Sequence, residues 1–180
     1  MMDTPDYMKR DENMLRSLVN IRLRRGKTDD LDAVNAIIHA AIMTWDIPER
    51  VKRLSLPIYR YNAHDLEHLT LIIAESNAGE MVGIATWEDA DAADVPGGQR
   101  GLLLHGIYVH PEQRQRGIGS RLLEAALQAG REKDFDGLLV KANPDAQGFF
   151  LGRGLMPLAM EHPGREYPYR YWFDLRADSI

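Results

Sequence analysis

The chain has 180 residues, with 22 lysines and arginines against 27 aspartates and glutamates, and therefore a formal net charge of −5. This acidic balance disfavours a nucleic-acid-binding protein, which usually carries a basic excess or a basic face. The absence of cysteine excludes disulfides, thiolate metal sites and an enzyme-thioester mechanism. No apolar run reaches the ~18 residues of a membrane span, and none forms a signal-peptide core. We therefore expect a cytoplasmic protein with neither a membrane nor a nucleic acid as partner.

The first half of the chain opens with a charged stretch of little pattern and continues with regular periodicities. Residues 1–18 form the charged stretch and predict an N-terminal extension, ahead of a single domain over 19–176. Alternating apolar residues then predict strands, and apolar residues spaced by three to four predict helices. In chain order these elements are a strand over 19–24, two helices over 31–41 and 49–61, and two hairpin strands over 69–74 and 81–87.

The second half of the chain alternates strands with helices. A strand over 101–109 is followed by an amphipathic helix over 122–133 and a strand over 137–142. A helix over 143–154 and two short strands, over 156–160 and 169–174, complete the order. The complete order, βααβββαβαββ, combines hairpins with crossover connections. It predicts an α/β fold with a central mixed, mostly antiparallel sheet flanked by helices.

A glycine-rich turn of sequence RQRGIG, residues 114–119, connects the strand over 101–109 to the helix that follows. Free backbone N–H groups at a helix N-terminus, with arginines beside them, suit a diphosphate. The turn lacks the third glycine of a dinucleotide-binding fingerprint, because Leu122 stands there, and it lacks the lysine of a P-loop. What remains is the pattern [RQ]-x-x-G-x-[GA] after a strand that ends in Val-x-Pro.

This pattern resembles motif A of the GNAT superfamily of N-acetyltransferases, which use acetyl-CoA. The resemblance extends over roughly residues 19–174 because the order of elements also agrees. It implies a sheet that is splayed where the cofactor enters, and a pyrophosphate held by the amides of the turn. The cofactor-binding residues that it implies are Ile107, Val109, Arg114, Gln115, Arg116, Gly117, Ile118, Gly119, Ser120, Asn143, Phe149 and Phe150.

The reaction implied by the resemblance is acetyl transfer from acetyl-CoA to a primary amine. Direct attack in a ternary complex is the simplest route, because no cysteine is present to carry the acetyl group. Strand alternation is expected to place Leu103, His105, Ile107 and Val109 on one face. Arylalkylamine-type members have a histidine at the strand position of His105 that helps to remove the amine proton. His105 is therefore the candidate catalytic base, with a core histidine bonded to backbone as the alternative.

The general acid is the point at which the chain departs from the family. The usual donor is a tyrosine at the position of Phe150, which has no proton to give. Tyr108, Tyr167, Tyr169 and water are the alternative donors. The departure also leaves a second function open, in which the chain is an acyl-CoA-binding regulatory or interaction module with little or no turnover.

The acceptor implied by the resemblance is a small molecule, an amino acid or a peptide N-terminus. Trp45 and Trp87 fall in segments that shape the acceptor pocket of the family, and they are the predicted substrate-pocket residues. Residues 165–170 precede the last strand, on the side where acceptors or partner subunits lie. They could determine specificity or form a homodimer contact, and both interpretations stay open.

Two further polar clusters have simpler explanations. His64 and His68 are four residues apart, a spacing that can chelate a metal on a helix, but we interpret them as a solvated helix end and predict no metal site. The acidic residues over 88–94 are predicted to form a solvated hairpin loop, with attraction of a cationic acceptor as the alternative.

Overall fold

A computed structural model gives the fold of the protein and describes residues 20–160, 164 and 167–177. The predicted N-terminal extension, 1–18, lies outside the described residues, and so do Arg165 and Glu166 of the segment over 165–170. Among the described residues, no helix combines the length and the apolar composition that a membrane span requires.

The described part of the chain forms a seven-stranded sheet and five α-helices. The strands are β1 (Arg22–Arg25), β2 (Thr70–Glu75), β3 (Met81–Asp89), β4 (Gly101–Val109), β5 (Gly137–Lys141), β6 (Met156–Pro157) and β7 (Arg170–Asp174). The α-helices are α1 (Leu31–Met43), α2 (Glu49–Tyr59), α3 (Asp65–His68), α4 (Ile118–Glu132) and α5 (Gln147–Leu151). The predicted fold class is confirmed, and the observed order of elements adds only the single-turn helix α3.

The strands are ordered β1-β2-β3-β4-β5-β7-β6, and every adjacent pair is antiparallel except β4 and β5. This parallel pair exists because α4 carries the chain back across the sheet between the two strands. Residues Gly101–Leu104 of β4 pair with Gly137–Val140 of β5, but β4 continues unpaired on this side to Val109. The sheet is therefore splayed beyond Leu104, as the sequence predicted.

Helices cover both faces of the sheet. The apolar stripe of α4, which includes Leu122 and Leu127, packs on one face, and the stripe of α1, which includes Val34 and Ile38, packs on the other. Burial of one such leucine or isoleucine contributes about 1.5–3 kcal/mol to stability. These two cores fix the N-terminus of α4 and the C-terminus of α1 on opposite sides of the splayed strands.

The pairing of β3 with β4 contains a β-bulge. Trp87 pairs with Leu104 and Thr86 pairs with Gly106, so one step along β3 spans two steps along β4, and His105 is the extra residue. The extra residue has no partner in the hydrogen-bonded ladder. The side chains of β4 beyond it therefore lie on the opposite face from the one that simple alternation predicts.

The bulge changes which side chains of β4 share a face. Leu104 and Ile107 both pack in the α4-side core, although they are three residues apart. Tyr108 packs in the α1-side core. The expectation that one face carries His105 together with Ile107 and Val109 is therefore wrong, because simple alternation does not hold across a bulge.

Arg24 connects β1 to β2 and to the 3₁₀ turn that precedes α1. Its Nη1 and Nη2 both donate to the carboxylate of Asp30 at 2.8 Å, and its Nε donates to Glu75 at 2.6 Å. The Arg24 hydrogen bond holds the pKa of Asp30 below its ordinary value of 3.8. Arg22 and Arg24 likewise lower the pKa of Glu75. The bidentate geometry makes this pair stronger than a typical surface ion pair.

Asp30→Asn is expected to lower the melting temperature at neutral pH by a few degrees. A lowered carboxylate pKa contributes stability above the ordinary pKa of the group, and this stability is lost as the pH falls through the lowered value. The difference from wild type should therefore be full at pH 7 and shrink as the pH falls below the ordinary pKa of 3.8. Thermal melts over this range test it, with Asp29→Asn, at an exposed neighbouring position, as the control. An equal effect of the two substitutions would contradict the account.

Candidate active site

A cavity of about 750 Å³ opens where β4 and β5 part. Its walls come from the free end of β4, the N-terminus of α4, the end of β5 and α5, with the C-terminal ends of α1 and α2 at the other side. Of the predicted site residues, those that line the cavity are Trp45, His105, Ile107, Val109, Arg114, Gln115, Gly117, Ile118, Gly119, Ser120, Asn143, Phe149 and Phe150. Arg116 and Trp87 do not line it.

One end of the cavity is formed by the turn that precedes α4. Gly117 is the N-cap of the helix with φ 77°, and Gln115 has φ 60°, so two residues of the turn adopt left-handed conformations. A non-glycine residue in this region indicates a backbone held by its surroundings, often at a functional site. Left-handed residues within a turn are typical of the backbone conformations that bind anions.

The N–H groups of this turn are available to a ligand. The first N–H of α4 with a backbone acceptor is that of Arg121, which donates to Gly117 O at 3.1 Å. Within the described part of the chain, the backbone N–H groups of residues 115–120 have no protein acceptor. The positive end of the helix dipole lies at the same place, so the turn suits an anion such as a diphosphate.

Gly119 lies opposite Phe149 at this end of the cavity. A Cβ atom at Gly119 would be 3.5 Å from the Phe149 ring, which is ordinary van der Waals contact. Gly117, by contrast, has the φ of 77° that disfavours any side chain. A side chain at Gly119 can therefore reduce the space for a ligand without straining the backbone, and Gly119 is the better position for a test.

The arginines of the turn have different environments. Arg114 lines the cavity and donates to Thr44 Oγ1, the C-cap residue of α1, so it ties the turn to the opposite wall. Arg116 donates instead to Gln113 at 3.1 Å, on the exposed side of the turn. The expectation of a cation from Arg116 at the diphosphate therefore differs from the structure. Arg153, which the sequence analysis did not single out, lines the cavity and lies 5.7 Å from the centre of the Phe149 ring.

The middle of the cavity runs along the free edge of β4. Ile107 and Val109 line it, and the described residues supply no strand partner for this edge. On the other side, Asn143 accepts a hydrogen bond from Asp145 N as the cap of a 3₁₀ turn, and Phe150 is buried against Tyr171. Asn143 thus caps a turn and Phe150 belongs to the core, in addition to lining the cavity. An extended ligand arm would find open backbone groups on one side and apolar side chains on the other.

The far end of the cavity has an aromatic wall. Trp45 packs edge-on against Tyr59, with 5.4 Å between ring centres, and both line the cavity. Trp87 is only 4% exposed and packs in the α4-side core, on the opposite face of the sheet. The expectation that Trp87 shapes the acceptor pocket therefore differs from the structure, because the residue faces away from that side of the sheet.

His105 lines the far end and is hydrogen-bonded to a carboxylate. Its Nε2 lies 2.7 Å from Glu88 Oε1, and about a third of each side chain is exposed. Glu88 is directly opposite Leu103 in the β3–β4 pair, so it projects from the same face as that residue. His105, two residues after Leu103, lies on this face by simple alternation. The alternative of a core histidine bonded to backbone is thus replaced by an accessible histidine–carboxylate pair.

Lys141 is a second charged group at this end that sequence reasoning did not identify. It follows Val140, the last residue of β5 that pairs with β4, and it lines the cavity. Its Nζ lies 2.8 Å from a carboxylate oxygen of Asp94, and about a third of each side chain is exposed. The segment predicted as a solvated acidic loop therefore has carboxylates in specific ion pairs, including those of Glu88 and Asp94.

His64 and His68 lie on α3, away from the cavity and exposed to solvent. Glu67 on the same turn is a third group that sequence analysis did not identify, and one ligand atom from each of the three lies within 4.8 Å of the others. His64 Nδ1 is 3.2 Å from Glu67 Oε2. All three residues are exposed, and the solvated helix end stays a prediction.

Gly119→Val is expected to raise the dissociation constant of coenzyme A at least ~10-fold, since the new side chain projects between the α4 turn and Phe149. Isothermal calorimetry measures the change. Gly148→Val is the matched control, because an added Cβ there has no atom within 4 Å and the residue does not line the cavity. It reports the cost of a β-branched residue in a helix alone. Equal affinities for the two variants would contradict a ligand site at this turn.

Comparison with known protein families gives a match to the Acetyltransferase (GNAT) family over residues 36–155. An L-methionine sulfoximine/L-methionine sulfone acetyltransferase of Pseudomonas paraeruginosa is 31% identical over 71 residues, which are 39% of this chain and 40% of that protein. A second acetyltransferase of the same description, from Pseudomonas aeruginosa, is 34% identical over 61 residues, 34% of each chain. The matched part therefore spans less than half the length of these relatives.

Solved structures share the fold. PaiA N-acetyltransferase from Thermoplasma acidophilum, in complex with coenzyme A, has a TM-score of 0.68 at 13% identity, and the match covers 86% of this chain and 99% of that one. A GNAT family acetyltransferase from Brucella melitensis, in complex with acetyl-CoA, has a TM-score of 0.58 at 15% identity, covering 88% and 99%. At these identities the likeness establishes the architecture.

Proposed function

Because the chain belongs to the GNAT acetyltransferase family, we propose that it is an N-acetyltransferase that transfers the acetyl group of acetyl-CoA to a primary amine by direct attack in a ternary complex. One observation carries the proposal: a single cavity is lined both by the α4 turn, whose N–H groups lack a protein acceptor, and by His105, which is bonded to Glu88. An anion site and a proton acceptor in one cavity fit a phosphate-bearing acyl donor and an amine that must lose a proton.

The cofactor is acetyl-CoA, which supplies an acetyl group activated as a thioester. The N–H groups of residues 117–120 hold its diphosphate, and the positive helix end adds favourable charge. The free backbone groups of Ile107 and Val109 hold its extended arm as an added strand would be held, with Phe149 on the other side. Holding both substrates in one cavity supplies much of the catalysis.

His105 is the general base in this proposal, and Glu88 is its positioning residue. The carboxylate 2.7 Å from Nε2 favours the tautomer with the proton on Nε2, which leaves Nδ1 to accept the amine proton. Glu88 also stabilises the imidazolium that results, because the pair then becomes charge-assisted. The sequence contained both residues, but the register of β3 against β4, with Glu88 opposite Leu103, explains why they meet.

The acceptor that the far end of the cavity suits best is an α-amino acid with an uncharged side chain. Lys141 can hold a carboxylate by exchanging its bond with Asp94, and the Trp45–Tyr59 wall can pack against an apolar or polarisable side chain. The names of the two curated relatives, which refer to amino-acid derivatives, support this class.

A second candidate function is an acyl-CoA-binding module without turnover. The observation that favours it is Phe150, which is 5% exposed and offers no proton where the family has a tyrosine. In this case coenzyme A would bind at the α4 turn, and no amine would release its thiol above background.

A thiol-release assay with acetyl-CoA and a panel of amines tests the proposed function. We expect turnover with neutral L-amino acids, and a higher KM for amines that match them but lack the carboxylate. Lys141→Met should raise the KM for L-methionine about 10-fold and leave that of 3-(methylthio)propylamine unchanged, because only the first carries a carboxylate. Coenzyme A binding without thiol release for any amine would support the module instead. An equal effect of the substitution on both amines would remove Lys141 from acceptor recognition.

His105→Ala is expected to lower kcat/KM by about 10²–10⁴, the usual contribution of a general base. The loss should shrink at high pH, where the amine has already lost its proton. Glu88→Gln should give a smaller loss with the same pH trend, since the amide keeps a hydrogen bond but not the charge. His39→Ala, on the exposed face of α1, is the control. A pH–rate profile of His105→Ala parallel to that of wild type would exclude His105 as the base.

A further inference from the structure

Tyr108 has a hydroxyl group for which the fold supplies no partner. The residue is 7% exposed, packs in the α1-side core and also lines the cavity. Among the described residues, the fully buried side-chain oxygen or nitrogen without a partner is Gln99 Oε1 alone. The Tyr108 hydroxyl also has no hydrogen-bond partner in the described part of the chain, so it is not sealed in the core. The space open to it is the cavity that the residue lines.

The other tyrosines considered as proton donors have different environments. The Tyr167 hydroxyl donates to Ala142 O at 3.0 Å, and the residue is 43% exposed. Tyr169 does not line the cavity. Of the three tyrosines that the sequence offered in place of Phe150, Tyr108 alone combines burial with an uncommitted hydroxyl at the cavity.

Gly106 determines the direction of the Tyr108 ring. A Cβ atom at Gly106 would lie 2.5 Å from Cε2 and 3.1 Å from the hydroxyl oxygen of Tyr108. The ring therefore folds back along β4, over a residue that must lack a side chain, and brings its hydroxyl beside the residue that follows His105. This is the stretch of β4 that has already parted from β5.

The surroundings keep the Tyr108 hydroxyl protonated. Burial, with smaller contributions from Tyr61 and Tyr59, raises the pKa of the Tyr108 phenol well above its ordinary value of 10.0. Other titratable groups at this end are His105 on β4 with Glu88 on β3, and Lys141 on β5 with Asp94. A phenol in such a place keeps its proton at neutral pH and can act as a hydrogen-bond donor to negative charge that develops beside it.

We propose that Tyr108 is the general acid of the reaction, and that its hydroxyl takes the role that a tyrosine at the position of Phe150 has in the family. The proposal rests on the proposed acetyl transfer. As the bond from carbonyl carbon to sulfur breaks, Tyr108 Oη gives its proton to the leaving sulfur and forms an S–H bond. The phenolate then regains a proton from the His105 imidazolium through water in the cavity. The amine proton thus reaches the thiol with no net change in either side chain.

Tyr108→Phe tests the proposal, since it removes the hydroxyl and keeps the ring, with Tyr167→Phe as the matched control. We expect Tyr108→Phe to lower kcat about 10²-fold, with the KM for acetyl-CoA and the dissociation constant of coenzyme A changed less than 2-fold. Tyr167→Phe should stay within 3-fold of wild type. A full loss in the Tyr167 variant, or none in the Tyr108 variant, would overturn the assignment.

A second measurement does not depend on turnover. A phenol that donates to sulfur stabilises the thiolate, so coenzyme A bound to the wild-type protein should ionise at a lower pH than free coenzyme A. Ultraviolet absorbance of the thiolate follows this titration, and Tyr108→Phe should return it toward the value of the free thiol. Identical titrations of free and bound coenzyme A would contradict the proposal. If no amine is acetylated but this shift is present, the proposed function fails while the contact between Tyr108 and sulfur stands.

Discussion

The parting of β4 from β5 after the Leu104–Val140 pair is the constraint on which the rest of the structure depends. A strand edge inside a protein normally has a partner, because buried backbone N–H and C=O groups without one cost about 1–3 kcal/mol each. Here the edge from Gly106 to Val109 faces a cavity, and the unpaired N–H groups of the α4 turn face the same cavity. A ligand that is extended along one part and anionic at the other satisfies both sets of groups.

The β-bulge at His105 arranges the opposite end of this cavity. Without the extra residue, alternation along β4 would place Tyr108 on the same face as Leu102 and Leu104, under α4. With it, Ile107 faces α4 while Tyr108 faces α1, and His105 meets Glu88 on the acceptor side. One inserted residue thus brings the proposed acid, Tyr108, to the face of the sheet that carries the proposed base, His105, and the aromatic wall.

Local pattern was sufficient for the fold class and for the turn at 114–119, since helix periodicity, strand alternation and glycine placement are properties of neighbouring residues. It failed where a long-range contact decides. Trp87 and Arg116 have suitable chemistry, but strand register and a bond to Gln113 turn them away from the cavity. The pairing of Lys141 with Asp94 joins residues 47 positions apart, and no spacing rule predicts such a contact.

The account requires main-chain N–H groups of the α4 turn to bind the diphosphate of coenzyme A. A crystal structure of the protein grown with coenzyme A tests this most directly. We expect diphosphate oxygens within about 3.2 Å of the amide nitrogens of residues 117–120, and the arm of the cofactor beside Ile107 and Val109. A cofactor bound elsewhere, with these amides in contact with solvent alone, would contradict the account.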